Sequence, residues 1–156
     1  MASANLNVMI KAARKAGRSL VKDFREVENL QVSSKGPGDF VTRADREAER
    51  IIKEELRGAR PNYGWLGEET GMEAGEDPTR RWIVDPLDGT KEFVQRRGDF
   101  TVNIAYVENG VPLRGVVYAP AKGRLFYTTA DGRAVEETGP FGETPGAVCP
   151  IGVNAM

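Results

Sequence analysis

The segment that most constrains the fold of this chain is Trp82-Ile-Val-Asp85-Pro-Leu-Asp88-Gly-Thr90. It opens as an apolar run, Trp82 to Val84, which is typical of a buried strand. The proline that follows Asp85 biases that residue toward an extended backbone, so we expect the strand to end there in a rigid turn. Gly89 tolerates backbone angles that other residues resist, and a short helix is predicted from Thr90 to Gln95.

The predicted turn carries two carboxylates, Asp85 and Asp88, directly before a helix start. Carboxylate oxygens bind hard cations, and the N–H groups at a helix N-terminus bind phosphate. One interpretation is therefore a metal-assisted phosphate site. The other is an ordinary turn, since Asp-Pro and Asp-Gly are common turn dipeptides and Asp88 could simply cap the helix at Thr90.

The composition excludes several classes of active site and partner. Histidine is absent, which rules out Ser-His-Asp and Cys-His triads, phosphohistidine chemistry and His-containing zinc sites. Catalysis must then rest on carboxylates, hydroxyls, Lys and Arg, or a metal such as Mg²⁺. A net charge of -1 gives no electrostatic reason to expect a nucleic acid polymer or an acidic membrane as a partner. The single cysteine, Cys149, fits a reducing cytoplasm, and we find neither a bilayer-spanning run nor a signal peptide.

Two amphipathic helices are predicted in the N-terminal third of the chain. Apolar residues recur every three or four positions from Leu6 to Val27. A second helix is predicted from Thr42 to Arg57, and its first residue and Asp45 have the spacing of a capping box. On this interpretation Asp45 is a helix-cap residue. A short strand over 29–34 and a loop that contains Lys35 are expected between the two helices.

Strand patterns follow the second helix. Tyr63 to Gly67 is a predicted strand that delivers Glu68 and Glu69 to its end, as the next strand does with Asp85. If these strands are neighbours, their carboxylates meet at one edge of the sheet. Such a cluster repels itself unless a cation is present. Thr70 to Thr79 is a predicted polar connector.

An antiparallel meander is predicted after the short helix. Its strands are expected over 100–106, 111–119, 124–129 and 133–135, with a hairpin turn at Asn109-Gly110. The two-sided apolar character of Gly115-Val-Val-Tyr118 predicts a sheet covered on both faces, with the two helices on one of them. Residues 136–150 are a predicted loop, and 151–156 look like the start of another element.

Three separated motifs resemble the inositol monophosphatase superfamily of magnesium-dependent, lithium-sensitive phosphatases. They are the Asp45-bearing helix, Gly67-Glu68-Glu69 and Asp85-Pro-Leu-Asp88-Gly-Thr90, and the likeness runs from about Leu6 to Glu137. It implies an α+β fold with two helices packed on an antiparallel sheet, which is the N-terminal half of that family's layered αβαβα sandwich. Residues 1–137 would form this metal- and phosphate-binding domain, and 138–156 a loop and the beginning of a next element.

Two branches of the superfamily share these motifs. Lys35 to Asp45 and Gly67 to Thr70 look like bacterial inositol-1-monophosphatase. Asp88 to Phe93, Gly98 to Ile104 and Gly115 to Pro120 look more like CysQ-type 3′(2′),5′-bisphosphate nucleotidases. A chimeric chain and an intermediate family member would both give this mixture. The implied partner is a small phosphorylated substrate, either an inositol monophosphate or a bisphosphorylated nucleotide.

The resemblance also implies metal ligands. Glu68, Asp85 and the backbone carbonyl of Leu87 would bind one Mg²⁺, and Asp85 with Asp88 would bind a second, with Glu69 close by. Family members carry a second α/β domain, whose Trp-Asp-x-Ala-Ala-Gly segment supplies a further aspartate ligand. That segment does not occur in these residues, so the set of ligands is expected to be incomplete.

The remaining implied roles concern phosphate and water. The amides of Gly89 and Thr90 would hold the phosphate, and Thr90 with Asp45 would orient the attacking water. Glu68 would help to activate that water, with Lys35 near the site. No covalent intermediate is needed, which fits the lack of a histidine base.

Two other interpretations compete with a phosphomonoesterase. A truncated or chimeric non-catalytic domain would keep the fold, bind metal weakly and form a homodimer through its exposed sheet edge or through the surface that the second domain covers in the family. An aspartyl-phosphate phosphatase would need a nucleophilic aspartate two residues before its partner, whereas Asp85 and Asp88 are three apart. The second of these is therefore disfavoured.

Overall fold

The computed structural model describes residues 4–26, 36–139 and 147–151. In these ranges the chain forms three α-helices, a short 3-10 turn at Pro120–Lys122 and one eight-stranded sheet. The helices are α1 (Ala4–Glu26), α2 (Gly36–Ala59) and α3 (Thr90–Val94). The strands are β1 (Tyr63–Gly67), β2 (Gly71–Glu73), β3 (Asp77–Asp88), β4 (Thr101–Glu108), β5 (Val111–Ala119), β6 (Arg124–Thr128), β7 (Ala134–Thr138) and β8 (Ala147–Ile151).

The core lies between the two long helices and one face of the sheet. α1 packs on β4 and β5, and α2 packs on β3 and β1. Both helices bury the apolar stripe that their spacing predicts. From α1 the core receives Leu6, Met9, Ala13, Ala16 and Leu20, and from the sheet Trp82, Val84, Val102, Ile104 and Val116. The α+β class, with two helices packed on the sheet, is confirmed.

The start of α2 differs from the prediction. The helix begins at Gly36, six residues before Thr42. Thr42 therefore lies inside the helix, where its hydroxyl donates to the Gly38 carbonyl at 3.1 Å, and the predicted capping box is wrong. Pro37 falls in the first turn, where a missing N–H is tolerated. The strand predicted over 29–34 and Lys35 lie outside the described residues.

The sheet is mixed because one pair of strands is parallel. The strand order is β2-β1-β3-β4-β5-β6-β7-β8, and β1 with β3 is the one parallel pair of neighbouring strands among the described residues. Gly67 at the end of β1 is level with Val84 of β3. The chain thus leaves β1 at the same edge where β3 presents Asp85. This neighbour relation is the one that the prediction of a carboxylate cluster required.

Two segments predicted as connectors are strands. Gly71–Glu73 forms β2 at the edge of the sheet, where Glu73 accepts from Lys53 at 2.6 Å and from Arg57 at 2.7 Å. The loop predicted over 136–150 is wrong at both ends, because β7 continues to Thr138 and Ala147–Ile151 pairs with it as β8. Residues 140–146 lie outside the description.

The face of the sheet opposite the helices stays open. Val117 is 39% exposed and Ile83 is 38% exposed, although both alternate with buried core residues. The expectation that both faces are covered is therefore wrong for the part of the chain described. None of the helices in this part combines the length and apolar character needed to cross a membrane.

Candidate metal and phosphate site

The central motif forms a β-bulge rather than a turn. β3 continues to Asp88, and its pairing with β4 changes register after Asp85. Asp85 lies opposite Asn103 and Asp88 lies opposite Thr101, so β3 has one more residue than β4 between these pairs. Bulges re-aim side chains and occur next to active sites. The Leu87 side chain is apolar and packs in the core, so this residue can offer only its backbone carbonyl to a metal.

Four carboxylates from three elements meet at the ends of β1 and β3. Oxygens of Asp45, Glu68 and Glu69 lie within 4.8 Å of one another. The Glu68 carboxyl group is also within hydrogen-bonding reach of Asp85. Asp45 reaches the cluster from the buried face of α2 and is only 5% exposed, whereas Glu68 and Glu69 are exposed to solvent. Asp45 is thus a buried mid-helix residue and not a cap.

The electrostatics of this cluster favour protonation when no cation is bound. Burial is the main cause that raises the pKa of Asp45 to about 7, and the charges of Glu68, Glu69 and Asp85 add to it. The pKa of Glu68 is also raised, first by partial desolvation, although much of the side chain is exposed, and then by its hydrogen bond with Asp85. Carboxylates placed this close cannot all ionise without cost. The cluster therefore gains free energy from any bound positive charge.

The donor set fits a hard divalent cation. Asp45 Oδ1 and Asp85 Oδ1 are buried, and neither has a hydrogen-bond partner among the described residues. A buried acceptor without a partner is costly, and a positive charge nearby offsets that cost. Arg46 Nε approaches Glu69 Oε2 at 3.7 Å, but the Arg46 side chain is 68% exposed, so solvent screens this ion pair. All available ligands are oxygens, which suit Mg²⁺.

Asp88, Gly89 and Thr90 follow the cluster along the chain. Asp88 is exposed at the end of β3, outside the set of mutually close oxygens, and Asn103 Nδ2 donates to its Oδ2 at 3.5 Å. Gly89 has φ +91° and is the N-cap of α3, with no side-chain cap bond. Asp88 is therefore not the helix cap that the alternative interpretation proposed. Thr90 is exposed and borders a shallow depression of about 330 Å³.

Sequence reasoning missed Glu49. Its carboxylate accepts the Glu69 N–H at 3.0 Å and the Thr70 N–H at 2.8 Å, and the residue is 1% exposed. The sequence contains a signal for it, because Glu49 lies four residues after Asp45, within the apolar stripe of α2. Two acids in the buried stripe of an amphipathic helix need partners, and here both point to the C-terminal end of β1.

Comparisons with known proteins decide the family. A profile of the inositol monophosphatase family matches residues 2–146. The chain belongs to this family. The resemblance that rested on three motifs is thereby confirmed for the N-terminal part of the family's proteins.

Individual relatives come from both branches of the family. The inositol-1-monophosphatase of Mesorhizobium japonicum is 57% identical over 132 residues, which is 85% of this chain and 50% of that protein. The 3′(2′),5′-bisphosphate nucleotidase CysQ of Escherichia coli is 41% identical over 134 residues, or 85% of this chain and 54% of that protein. The crystal structure of the extragenic suppressor protein suhB from Bartonella henselae superposes with a TM-score of 0.76 at 51% identity, covering 86% of this chain and 52% of that one. The chain spans about half the length of the curated relatives it matches.

Proposed function

We propose that the chain is the metal- and phosphate-binding part of a Mg²⁺-dependent phosphomonoesterase. The observation that carries the proposal is the carboxylate cluster at the β1 and β3 ends, with unpartnered buried oxygens on Asp45 and Asp85. Family membership supports the same reaction class, since relatives bear the names of phosphatases. A cluster with a purely structural role would be expected to have hydrogen bonds at those oxygens.

The metal ligands in this proposal follow the motifs. Glu68, Asp85 and the Leu87 carbonyl hold one Mg²⁺, and Asp85 with Asp88 holds a second. The contact of Glu68 with Asp85 supports the first set, as does the bulge that separates Asp85 from Asp88. When bound, the metal lowers the pKa of a water molecule and offsets the charge of the phosphate oxygens. The resemblance assigns one further aspartate ligand to a segment that these residues do not contain.

The remaining groups bind the phosphate, orient the attacking water and accept a proton from it. The amides of Gly89 and Thr90 hold the phosphate at the start of α3, where the positive φ of Gly89 re-directs the chain. Thr90 and Asp45 orient the attacking water. Glu68 helps to activate this water by accepting a proton from it. Glu69 lies beside this site, within 4.8 Å of Asp45 and Glu68. A place for Lys35 near the site stays a prediction, because that residue lies outside the described ranges.

An inositol monophosphate is the first candidate substrate. The higher identity to an inositol-1-monophosphatase, 57% against 41% for a CysQ nucleotidase, supports it. A 3′(2′),5′-bisphosphate nucleotide is the second candidate, because Asp88 to Phe93 and Gly115 to Pro120 look more like the CysQ branch. We also propose inhibition by Li⁺, a cytoplasmic location and a homodimer as the assembly to test.

The test is phosphate release from inositol-1-phosphate and from adenosine 3′,5′-bisphosphate, with and without Mg²⁺. The full 156-residue chain is compared with Asp88→Ala and with Glu54→Gln as a matched control. Glu54 is an exposed residue of α2 that pairs with Arg50 at 2.8 Å. We expect Mg²⁺-dependent release that Asp88→Ala loses and Glu54→Gln keeps. A folded protein without release on either substrate would contradict the proposal for this chain and favour a non-catalytic domain.

A further inference from the structure

We propose that Glu49 is a positioning residue that fixes the Glu68-Glu69-Thr70 turn, and through this turn the metal site. The consequence for metal binding rests on the proposed function. The geometry of the turn is independent of it, because it consists of hydrogen bonds within the chain. Glu49 is thus a second acid of α2, beside Asp45, that acts at the C-terminal end of β1.

The hydrogen bonds of Glu49 are bidentate. Oε1 accepts from the Glu69 amide at 3.0 Å and Oε2 accepts from the Thr70 amide at 2.8 Å. Charge-assisted bonds of this kind are roughly twice as strong as neutral ones. Because Glu49 is 1% exposed, water cannot readily replace either bond. Both oxygens of one rigid carboxylate thereby hold two successive peptide units directly after the proposed ligand Glu68.

The strand that leads into the turn makes room for this carboxylate. A Cβ at Gly67 would lie 2.7 Å from Glu49 Oε1 and 2.7 Å from Trp65 Nε1. Real Cβ atoms essentially never approach other atoms so closely. The absence of a side chain at Gly67 is therefore a steric condition for the Glu49 contact. It also explains in physical terms why a glycine precedes the acidic pair.

A second anchor holds the turn from the side of the sheet. Trp65 Nε1 donates to Thr70 Oγ1 at 2.7 Å, and the Trp65 side chain is fully buried. Glu49 of α2 thus holds the backbone of the turn, and Trp65 of β1 holds the side chain of Thr70, the last residue of the turn. The proposed ligand Glu68 lies at the start of this fixed segment. A carboxylate that is orientated before metal binding loses less conformational freedom on coordination.

The position of Glu49 on α2 couples this turn to Asp45. Residues four apart on a helix lie on the same face, so a single rigid helix presents both acids to the C-terminal end of β1. Asp45 contributes an oxygen to the cluster itself, whereas Glu49 uses both of its oxygens on backbone amides. Glu49 therefore sets where Glu68 and Glu69 lie relative to Asp45 without being a ligand.

The test combines two substitutions at Glu49 with two measurements. Glu49→Gln keeps the shape but replaces one acceptor by a donor, so it can satisfy one amide at most. Glu49→Asp keeps the charge but is one methylene shorter, so it cannot reach both amides. The first measurement is hydrogen exchange at the Glu69 and Thr70 amides by NMR without metal. The second is the affinity for Mn²⁺ alone, by electron paramagnetic resonance, and Glu54→Gln is the control.

We expect both Glu49 variants to exchange these two amides about 10-fold faster or more, since each loses at least one bond to a charged group. We expect their Mn²⁺ affinity to fall about 10-fold, as is usual for groups that orient metal ligands. Unchanged exchange would overturn the inference. Wild-type Mn²⁺ affinity in Glu49→Asp, with a loss only in Glu49→Gln, would also overturn it, because charge and not position would then be responsible.

The two proposals fail in different ways. If the wild-type chain takes up no Mn²⁺, the proposed function is contradicted, and so is the metal consequence drawn for Glu49. The exchange measurement still decides whether Glu49 fixes the turn, because it is made without metal. If Mn²⁺ binds and both Glu49 variants match the wild type in exchange and affinity, only the inference fails.

Discussion

Replacing Asp45 with asparagine should stabilise the metal-free protein at pH 8. Asp45 is 5% exposed, and its pKa is raised from 3.8 to about 7 by burial and by neighbouring carboxylates. When it ionises without a cation, its charge is buried next to like charges. The isosteric amide carries no charge and can donate to Glu68 or Glu69. The substitution therefore removes a repulsion that the metal-free fold must otherwise tolerate.

The size of the effect follows from the pKa shift. One pKa unit corresponds to about 1.36 kcal/mol, so a rise from 3.8 to about 7 corresponds to an upper limit of about 4 kcal/mol. A folded-state pKa above the unfolded value means that the folded protein binds the proton more tightly. This contribution to stability is fully present below pH 3.8 and is lost as the pH rises to about 7. The wild type should lose this stability across that window, and Asp45→Asn should not.

The assay is urea unfolding of both proteins in excess EDTA at intervals from pH 5 to pH 8. The difference between the two free energies of unfolding cancels titrating groups outside the cluster and leaves Asp45 with its coupling to the neighbouring carboxylates. We expect the difference to grow in favour of Asp45→Asn up to pH 7 and then to level off. Added Mg²⁺ at pH 8 should stabilise the wild type more than the variant. Parallel pH profiles for the two proteins would refute this reasoning.

Two further predictions concern packing and the open face. Gly67→Ala should destabilise the chain by about 1–3 kcal/mol in urea unfolding, because the new methyl group overpacks Glu49. Gly58→Ala, in α2 with open space around it, is the matched control, and equal stability of the two variants would count against the steric argument. The open sheet face should bind the dye ANS through Ile83 and Val117, and Val117→Lys should weaken that fluorescence. A monodisperse, ANS-negative monomer would show that the face is not an accessible apolar surface.

The parts of the fold that could be predicted are those with strong local patterns. The apolar stripes of α1 and α2 and the alternation in β4 have a period that fixes the element. The meeting of carboxylates at the ends of β1 and β3 could also be predicted, since Glu68 follows one apolar strand as Asp85 follows the apolar run of another. The prediction that these carboxylates cluster depended on the two strands being neighbours, and the parallel pairing of β1 and β3 meets that condition.

Other features depend on contacts that are distant in the sequence. β2 and β8 are short strands, of which the first contains a glycine and the second a proline, and they form because an edge of the sheet is available to them. The start of α2 was missed because Gly36-Pro-Gly has the composition of a turn, although proline suits a first helical turn. The role of Glu49 needs the β1 turn as a partner, and nothing within α2 identifies that partner.

Mn²⁺ binding to the wild-type chain and to Asp85→Asn at pH 8, followed by electron paramagnetic resonance, tests the central claim most directly. Asp85 is shared by both proposed metal positions and has a buried oxygen without a partner among the described residues. We expect saturable binding to the wild type that the isosteric variant loses, while both proteins keep the same circular dichroism spectrum. Equal binding by the two proteins, or no saturable binding by the wild type, would contradict the account of these carboxylates as a metal site.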